Sequence, residues 1–557
     1  MGASILGHRF SGTPSINIPR STFNRRFGHK TTFNSGWLVP IMSDIAYPGD
    51  THKARCDSFF RLATPKLPLM DNLFIETFFF SVPIRLIWDN FRKFLGEQDN
   101  PGDSTSFLIP QTQAPAGGYV PPANWASPTG AELSSALFDY FAVPTRIANI
   151  LHSSLWARAY NLIFNEWFRD QNLQSSLTVP KGDGPDTYTT FALKRRGRRH
   201  DYFTSCLPWP QKGTAVTLPL GTSAPMVGTG NLSIPQQQIL VKEGSTGGTD
   251  RSSVVGARGG APASNDMYFN ATTGAFTAYF DKPSQNIPFS TVAAGLSVNL
   301  AGAAGATVDA IREAFQIQNL YALDARSGTR MIEIVKAHFG VDSPDLRAVR
   351  PEYLGGGSSK INIHPIPQQS ATGLTGSTTP LGSLAAFGTA SINGHGFVKS
   401  FTEHCLIIGL INVRCEYFYQ QGLDRTWSDR TKLDLFWPAL AHLGEQAVLN
   451  REIYMDGSGN DTGVFGYQER YGHLRMKNSM ITGKFRSNDP QSLHAYHLAQ
   501  QYGALPVLND SFIQENPPLG RVVVTPTEPE FIGDVLFDYT SVRPMPVYGT
   551  PGKMDHF

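Results

Sequence analysis

Residues 73–82 read Leu-Phe-Ile-Glu-Thr-Phe-Phe-Phe-Ser-Val, a short run that is apolar at odd and even positions alike. A strand buried on one face alternates, whereas one apolar on both faces must lie between two layers. The run therefore predicts a core strand in the middle of a sandwich. It is no membrane helix, because Glu76, Pro83 and Arg85 interrupt Leu73 to Trp88 well short of the ~20 apolar residues a span requires. No membrane insertion is expected. A second run, His404 to Tyr419, places Cys405, Ile407, Gly409, Ile411, Val413, Cys415 and Tyr417 on one face. Arg521 to Thr525 and Val535 to Tyr539 add shorter β-like runs.

Helical spacing intrudes between these strands. Ile84, Ile87, Trp88, Phe91 and Leu95 predict a helix ending near Gly96, and Ile147, Ile150, Leu151, Leu155, Leu162, Ile163 and Trp167 a longer one. Ile311, Phe315 and Leu320 mark a third, and Ile332, Val335 and Phe339 a fourth, stopped by Gly340. Strands far apart in the chain, with helices and loops between them, indicate a mainly β sandwich carrying insertions rather than βαβ alternation. The 53 Gly and 39 Pro suit a loop-rich β protein, and 11% aromatic residues supply enough core to exclude disorder.

Charge is distributed unevenly on a chain whose net charge is only +2. Residues 1–43 contain Arg9, Arg20, Arg25, Arg26 and Lys30 and no acid before Asp44. They show neither helical nor strand periodicity, and read as an extended basic arm. Lys194, Arg195, Arg196, Arg198 and Arg199 crowd a second site beside Tyr202, Phe203 and Trp209. Cations interleaved with aromatic rings are what single-stranded nucleic acid exploits, so these ten residues are the candidate nucleic-acid contacts. A solvated face or a subunit contact explains the second cluster equally well, and anchoring by Phe10, Phe23, Phe27 and Phe33 explains the arm.

Residues 211–310 stand apart, with few charges and abundant Gly, Ser, Thr and Ala. Such a segment has little capacity to build its own core. Met267–Asn270 and Phe276–Phe280, on either side of the turn-like Thr272–Ala275, nevertheless predict a hairpin. The segment reads as a surface insertion, with a flexible linker as the alternative.

Catalytic and metal motifs are missing. There is no GxSxG, HExxH, GxxxxGK[ST] or GxGxxG. His494 and His497 lack a third ligand nearby in sequence, and Cys56, Cys206, Cys405 and Cys415 form no CxxC pair. Buried reduced thiols are expected, with no metal and no cofactor. The N-terminus lacks the apolar core of a secretory signal, so cytosolic synthesis is expected. A carbohydrate-binding or glycoside-hydrolysing β-sandwich is the rival reading, because carboxylate pairs are set by spatial distance and not by sequence spacing.

Several blocks carry a resemblance over nearly the whole chain. They are Lys30-Thr31-Thr32-Phe33-Asn34-Ser35-Gly36 with Pro48-Gly49-Asp50-Thr51, Arg199-His200-Asp201-Tyr202-Phe203-Thr204-Ser205 with Leu207-Pro208-Trp209-Pro210, Ala314-Phe315-Gln316-Ile317-Gln318, Arg350-Pro351-Glu352-Tyr353-Leu354-Gly355-Gly356, and Ile481-Thr482-Gly483-Lys484-Phe485-Arg486-Ser487. Taken in order, they make the chain resemble the major capsid proteins of gokushoviruses, bacterial viruses with single-stranded DNA in the Microviridae. The resemblance implies an eight-stranded antiparallel jelly roll with long loop and helical insertions. It further implies sixty copies in a T=1 icosahedral shell around circular single-stranded DNA, assembled in the host bacterial cytoplasm.

On this reading the domains are a basic arm (1–43), a first part of the jelly roll with helical insertions (44–224), a variable insertion (225–305) protruding at threefold axes, and the rest of the core (306–557). Tyr268, Phe269, Tyr279 and Phe280 of the insertion are the candidate contacts to a bacterial surface receptor. The implied partners are an internal scaffolding protein, a DNA pilot protein and a small basic DNA-binding protein. Sixty arms with five cations each would bring roughly 300 positive charges to the packaged phosphates.

Overall fold

The structure, a computed structural model, describes residues 18–214, 216, 239–241, 251–253, 268–270, 277–279, 308–341, 349–369 and 382–548. The chain forms two compact units, one of Met1–Gly213 with Leu320–Phe557 and the other of Thr214–Asn319.

The larger unit is built on nine antiparallel strands: β1 (Ser21–Asn24), β2 (Phe27–Phe33), β3 (Val39–Ala46), β4 (Thr51–Leu62), β5 (Leu73–Pro83), β6 (Glu352–Pro367), β7 (Leu384–Ser400), β8 (Cys405–Cys415) and β9 (Phe531–Arg543). One layer runs β2-β9-β4-β7 and the other β3-β8-β5-β6. Strand β6 joins them, pairing with β5 through Ile361 and with β7 from Asn362 onward. Eight strands interleaved in this order form a jelly roll. Strand β1 is a short ninth, set against the end of β9 with Thr22 opposite Val542.

The two layers differ in what lies outside them. Strand β5 is buried along nearly its whole length, as its two-faced apolar run predicts, and so is β8. Helix α1 (Gly130–Tyr140) packs on β3, and α2 (Leu155–Ile163) packs on β5 and β8. Helix α1 begins with a capping box in which Thr129 and Glu132 satisfy each other's backbone N–H groups. In the other layer, β4 alternates strictly. His52, Ala54, Cys56, Ser58, Phe60 and Leu62 point inward, whereas Lys53, Arg55, Asp57, Phe59 and Arg61 point outward. Phe59 remains 50% exposed and Ile532 of β9 61%, so much of this face is open among the described residues.

Aromatic rings fill the space between the layers. Phe79 lies 5.5 Å from Phe397 and 6.2 Å from Phe537, crossing from one sheet to the other. Phe33 contacts Phe60 and Phe531 at 6.0 and 5.6 Å. Each fully buried ring of this size contributes about 1.5 to 3 kcal/mol through removal from water. All four cysteines are buried and unpaired.

Some helical expectations need correction. Ile84–Leu95 is two short turns, Ile84–Leu86 and Phe91–Phe94, because the Asp89 N–H bonds to the Lys181 carbonyl instead of continuing the helix. The longer helix starts only at Leu155, since Leu151–Ser153 pairs as a strand with Gln111–Gln113. Leu519–Arg521 is a 3-10 turn, and residues 521–525 contribute only an isolated bridge between Val523 and Pro65. Helices α3 (Val308–Arg326) and α4 (Met331–Phe339) lie where their spacing placed them, and Gly340 ends α4 in the left-handed conformation at φ 67°. Among the described residues no helix is long and apolar enough to cross a membrane.

In the smaller unit, Ile239–Val241 pairs with Arg251–Ser253, and Tyr268–Asn270 pairs with Thr277–Tyr279. Tyr268 stands opposite Tyr279 in the hairpin read from the sequence.

Candidate nucleic-acid interface

The basic run 194–199 is extended and lies between two backbone segments. Leu38 N–H donates to the Lys194 carbonyl and Arg196 N–H to the Gly36 carbonyl on one side. On the other, Arg198 N–H donates to the Ile513 carbonyl and Glu515 N–H to the Arg196 carbonyl. This pairing carries most of the guanidinium groups into the protein. Arg195 stacks 4.3 Å above the Trp37 ring and donates to the Glu515 carbonyl at 3.0 Å. Arg198 sits between Tyr417 and Phe512, at 4.4 and 4.9 Å, and its Nε donates to the Gln514 carbonyl. Burial lowers the Lys194 pKa, with Asp510 opposing the shift.

Arg196 lies over Phe78 at 4.7 Å and pairs with Glu76, whose other oxygen accepts from Arg414 at 2.5 Å. Burial alone would push the Glu76 carboxyl up, but the two guanidinium groups outweigh it and hold it below its ordinary value. Glu76 is the one acid inside the apolar run of β5, and these partners explain its presence there.

Arg199 and His200 are the exposed end of the run. Arg199 makes a long 3.4 Å contact to Glu416, both side chains being about half exposed, and lies 5.7 Å from the Phe74 ring centroid. The two residues border a cavity of about 540 Å³ walled by Phe78, Phe80, Trp167, Phe168 and Tyr353. Phe80, Trp167 and Tyr353 form a triangle with centroids 5.5 to 6.0 Å apart. Trp167 and Tyr353 present exposed surface, and Arg350 lies 4.8 Å from the Trp167 ring. Trp167 is fixed by its Nε1 hydrogen bond to the Pro351 carbonyl at 3.0 Å. The result is a group of aromatic rings tilted 45 to 60° to one another and edged with positive charge.

The arm's cations fall into two groups. Arg25 forms a two-pronged pair with Asp44 at 2.5 and 3.1 Å, and Lys30 pairs with Asp534 at 2.8 Å. Arg20 and Arg26 are exposed and form no ion pair among the described residues; Arg9 lies outside the described residues. Residues 21–33 are edge strands of the jelly roll, which fixes the arm's second half to the core. Tyr268, Phe269 and Tyr279 lie on the hairpin of the smaller unit, and Phe280 lies outside the described residues.

The outward row of β4 was not anticipated. Phe59 and Arg61, with Lys30, Trp125 and Ile532, line a second cavity of about 610 Å³ on this sheet. The strict alternation from His52 to Leu62 was the available signal. His497, by contrast, is structural, with Nε2 at 2.7 Å from the Phe485 carbonyl. Among the described residues no group of three His, Cys, Asp or Glu side chains is placed to hold a metal ion.

An eight-stranded jelly roll is an architecture shared by viral capsid and lectin domains. The chain belongs to the phage capsid protein (F protein) family, whose model matches residues 11–553. It is 45% identical to capsid protein VP1 of Bdellovibrio phage phiMH2K over the full length of both chains. Identity is 39% to capsid protein VP1 of Chlamydia phage 1, covering 99% of this chain and 98% of the relative. For capsid protein VP1 of Spiroplasma virus 4 it is 35%, covering 98% and 97%. All three viruses are Microviridae. The chain is thus a major capsid protein, a structural component of the virion rather than an enzyme.

Proposed function

We propose that sixty copies close into a T=1 icosahedral shell around circular single-stranded DNA, and that the cavity beside Arg199 and His200 holds nucleotides of that DNA. The observation that carries the DNA contact is the exposed Trp167 and Tyr353 pair edged by Arg199 and Arg350. Base stacking on such rings is worth about 1 to 3 kcal/mol per base and tolerates any sequence. Arg20 and Arg26 add phosphate contacts, with Arg9 from the start of the arm. Arg25, Arg195, Arg196 and Arg198 serve chiefly to hold the protein together, whereas the exposed Lys30–Asp534 pair adds little stability and leaves Lys30 at the surface.

Assembly takes place in the host bacterial cytoplasm with an internal scaffolding protein and a DNA pilot protein. Residues 225–305 are the outward insertion of the shell, with Tyr268, Phe269, Tyr279 and Phe280 as the contacts to a bacterial surface receptor. The test of the DNA contact is the nuclease-protected DNA content of purified particles carrying Arg199→Ala with Trp167→Ala. Shells that close with a reduced DNA content are expected. Unchanged content overturns the assignment of the cavity.

A further inference from the structure

Residues 425–443 present apolar side chains to solvent from an ordered scaffold. Trp427 is 81% exposed and Leu443 64%, with Leu433, Leu435, Phe436 and Trp437 exposed between them. Side chains of these sizes at these exposures offer roughly 700 Å² of surface, close to the ~800 Å² that each partner contributes to a standard interface. An isolated exposed apolar residue needs no explanation, but six of them within seventeen residues of chain mark an interaction site.

The segment is held in shape. Tyr471, buried and left-handed at φ 61°, donates its hydroxyl to the Leu435 carbonyl at 3.1 Å and accepts from Trp437 N–H at 3.4 Å. Its ring meets Phe436 edge-on at 5.0 Å. The Asp434 carboxylate accepts from the backbone N–H groups of Arg430 and Thr431 and from the Thr431 hydroxyl, closing the turn. Trp437 Nε1 donates to the Lys432 carbonyl at 2.8 Å, with the Lys432 ammonium 5.0 Å from its ring. At the other end, Arg425 is locked to Glu452 and to the Ala447 carbonyl. A surface already ordered before binding loses little conformational freedom when a partner docks.

We infer that residues 427–443 are a contact between copies of this chain, an apolar knob inserted into the neighbouring subunit of the shell. Charge argues for that occupant. Asp429 and Asp434 balance Arg430 and Lys432, so the segment has no net field to attract nucleic acid, while charges of both signs beside apolar side chains suit a protein partner. A capsid protein supplies the same partner surface at high local concentration in every copy, and a heterologous contact of this kind closes by rotation into a ring. The inference rests on the capsid assignment and is independent of the proposed DNA contact.

The test uses the full chain carrying Leu433→Cys. Because all four native cysteines are buried, the introduced thiol is the accessible one. Maleimide labelling is expected to be fast on dissociated subunits and at least tenfold slower on closed particles. A thiol-to-amine cross-linker at the same position is expected to yield a covalent dimer of the chain. Equal labelling in both states, or cross-linking only to a different viral protein, overturns the inference. In parallel, Trp427→Asp is expected to leave the subunit melting temperature unchanged and abolish particles, whereas normal particle yield contradicts the proposal. Failure of the unsubstituted chain to form particles under any condition would instead count against the shell itself.

Discussion

The Tyr417 hydroxyl donates a 3.0 Å hydrogen bond to Oε1 of Glu515, which also accepts from the Cys415 N–H at 3.1 Å. Both side chains are buried, and burial pushes the Glu515 carboxyl up to about 7 from an ordinary 4.5. Below pH 4.5 the group is protonated in the folded and unfolded chain alike. Between pH 4.5 and 7 the unfolded chain gives up a proton that the folded one retains. This residue's contribution therefore falls as pH rises, by about 3 kcal/mol in all. Glu515→Gln keeps the acceptor and removes the titration. Its melting temperature should gain on that of the parent protein from pH 5 to pH 8, and a constant difference across that range would refute the assignment.

Glu76 pairs with both Arg196 and Arg414 in a partly buried site on β5. Removing one partner of such a group leaves uncompensated charge, at a cost of about 3 to 5 kcal/mol. Glu76→Ala should accordingly be among the most destabilising substitutions in the jelly roll, read by denaturant unfolding of the subunit. Combined with Arg196→Met, the loss should be smaller than the sum of the two single losses. Simple additivity would show that the groups are not coupled.

Two glycines of β7 should respond differently to alanine. A Cβ at Gly396 would lie 1.9 Å from the Ala54 carbonyl oxygen of the adjoining strand β4. Backbone cannot move aside without breaking the β4–β7 pairing, so Gly396→Ala should abolish soluble subunit. Gly394, at φ 78°, has open space around it and should lose only about 1 to 2 kcal/mol from the left-handed backbone. Equal expression of the two variants would contradict this contrast.

Arg26 and Arg195 separate binding from stability. Arg26 is exposed without an ion pair among the described residues, whereas Arg195 is stacked on Trp37 and bonded to two carbonyls. Arg26→Ala should weaken oligothymidine binding and leave the melting temperature unchanged. The dependence of log affinity on log salt should become shallower by about 0.7, the value of one phosphate neutralised on a single strand. Arg195→Ala should lower the melting temperature. The opposite pattern, measured by fluorescence anisotropy at several salt concentrations, would reverse the roles given to the two arginines.

The strands most visible in the sequence are those buried on both sides, β5 and β8, because apolar residues on both faces far outnumber the few polar ones in them. Strands β6 and β7 were hidden. Gly355, Gly356 and Gly357 occupy β6, and Gly388, Gly394 and Gly396 occupy β7, so local propensity argues against strands that close pairing demands. Helices fared unevenly where tertiary hydrogen bonds competed with spacing, as at Asp89 and at Leu151. At the candidate site, the sequence exposed the cluster 194–199 but not its division into buried and exposed groups. That division depends on Trp37, Glu76, Tyr417 and Phe512, which are distant in the chain. Trp167 and Tyr353, which wall the cavity, are nearly two hundred residues apart, and no local pattern joins them.

The most direct test of the central claim is electron cryomicroscopy of particles purified from cells expressing the chain with the rest of its viral genome. The expected result is a T=1 icosahedral map with sixty jelly rolls, density for residues 427–443 seated in a neighbouring subunit, and ordered density in the cavity beside Arg199. A chain that remains monomeric, or forms particles of another symmetry, would contradict the account.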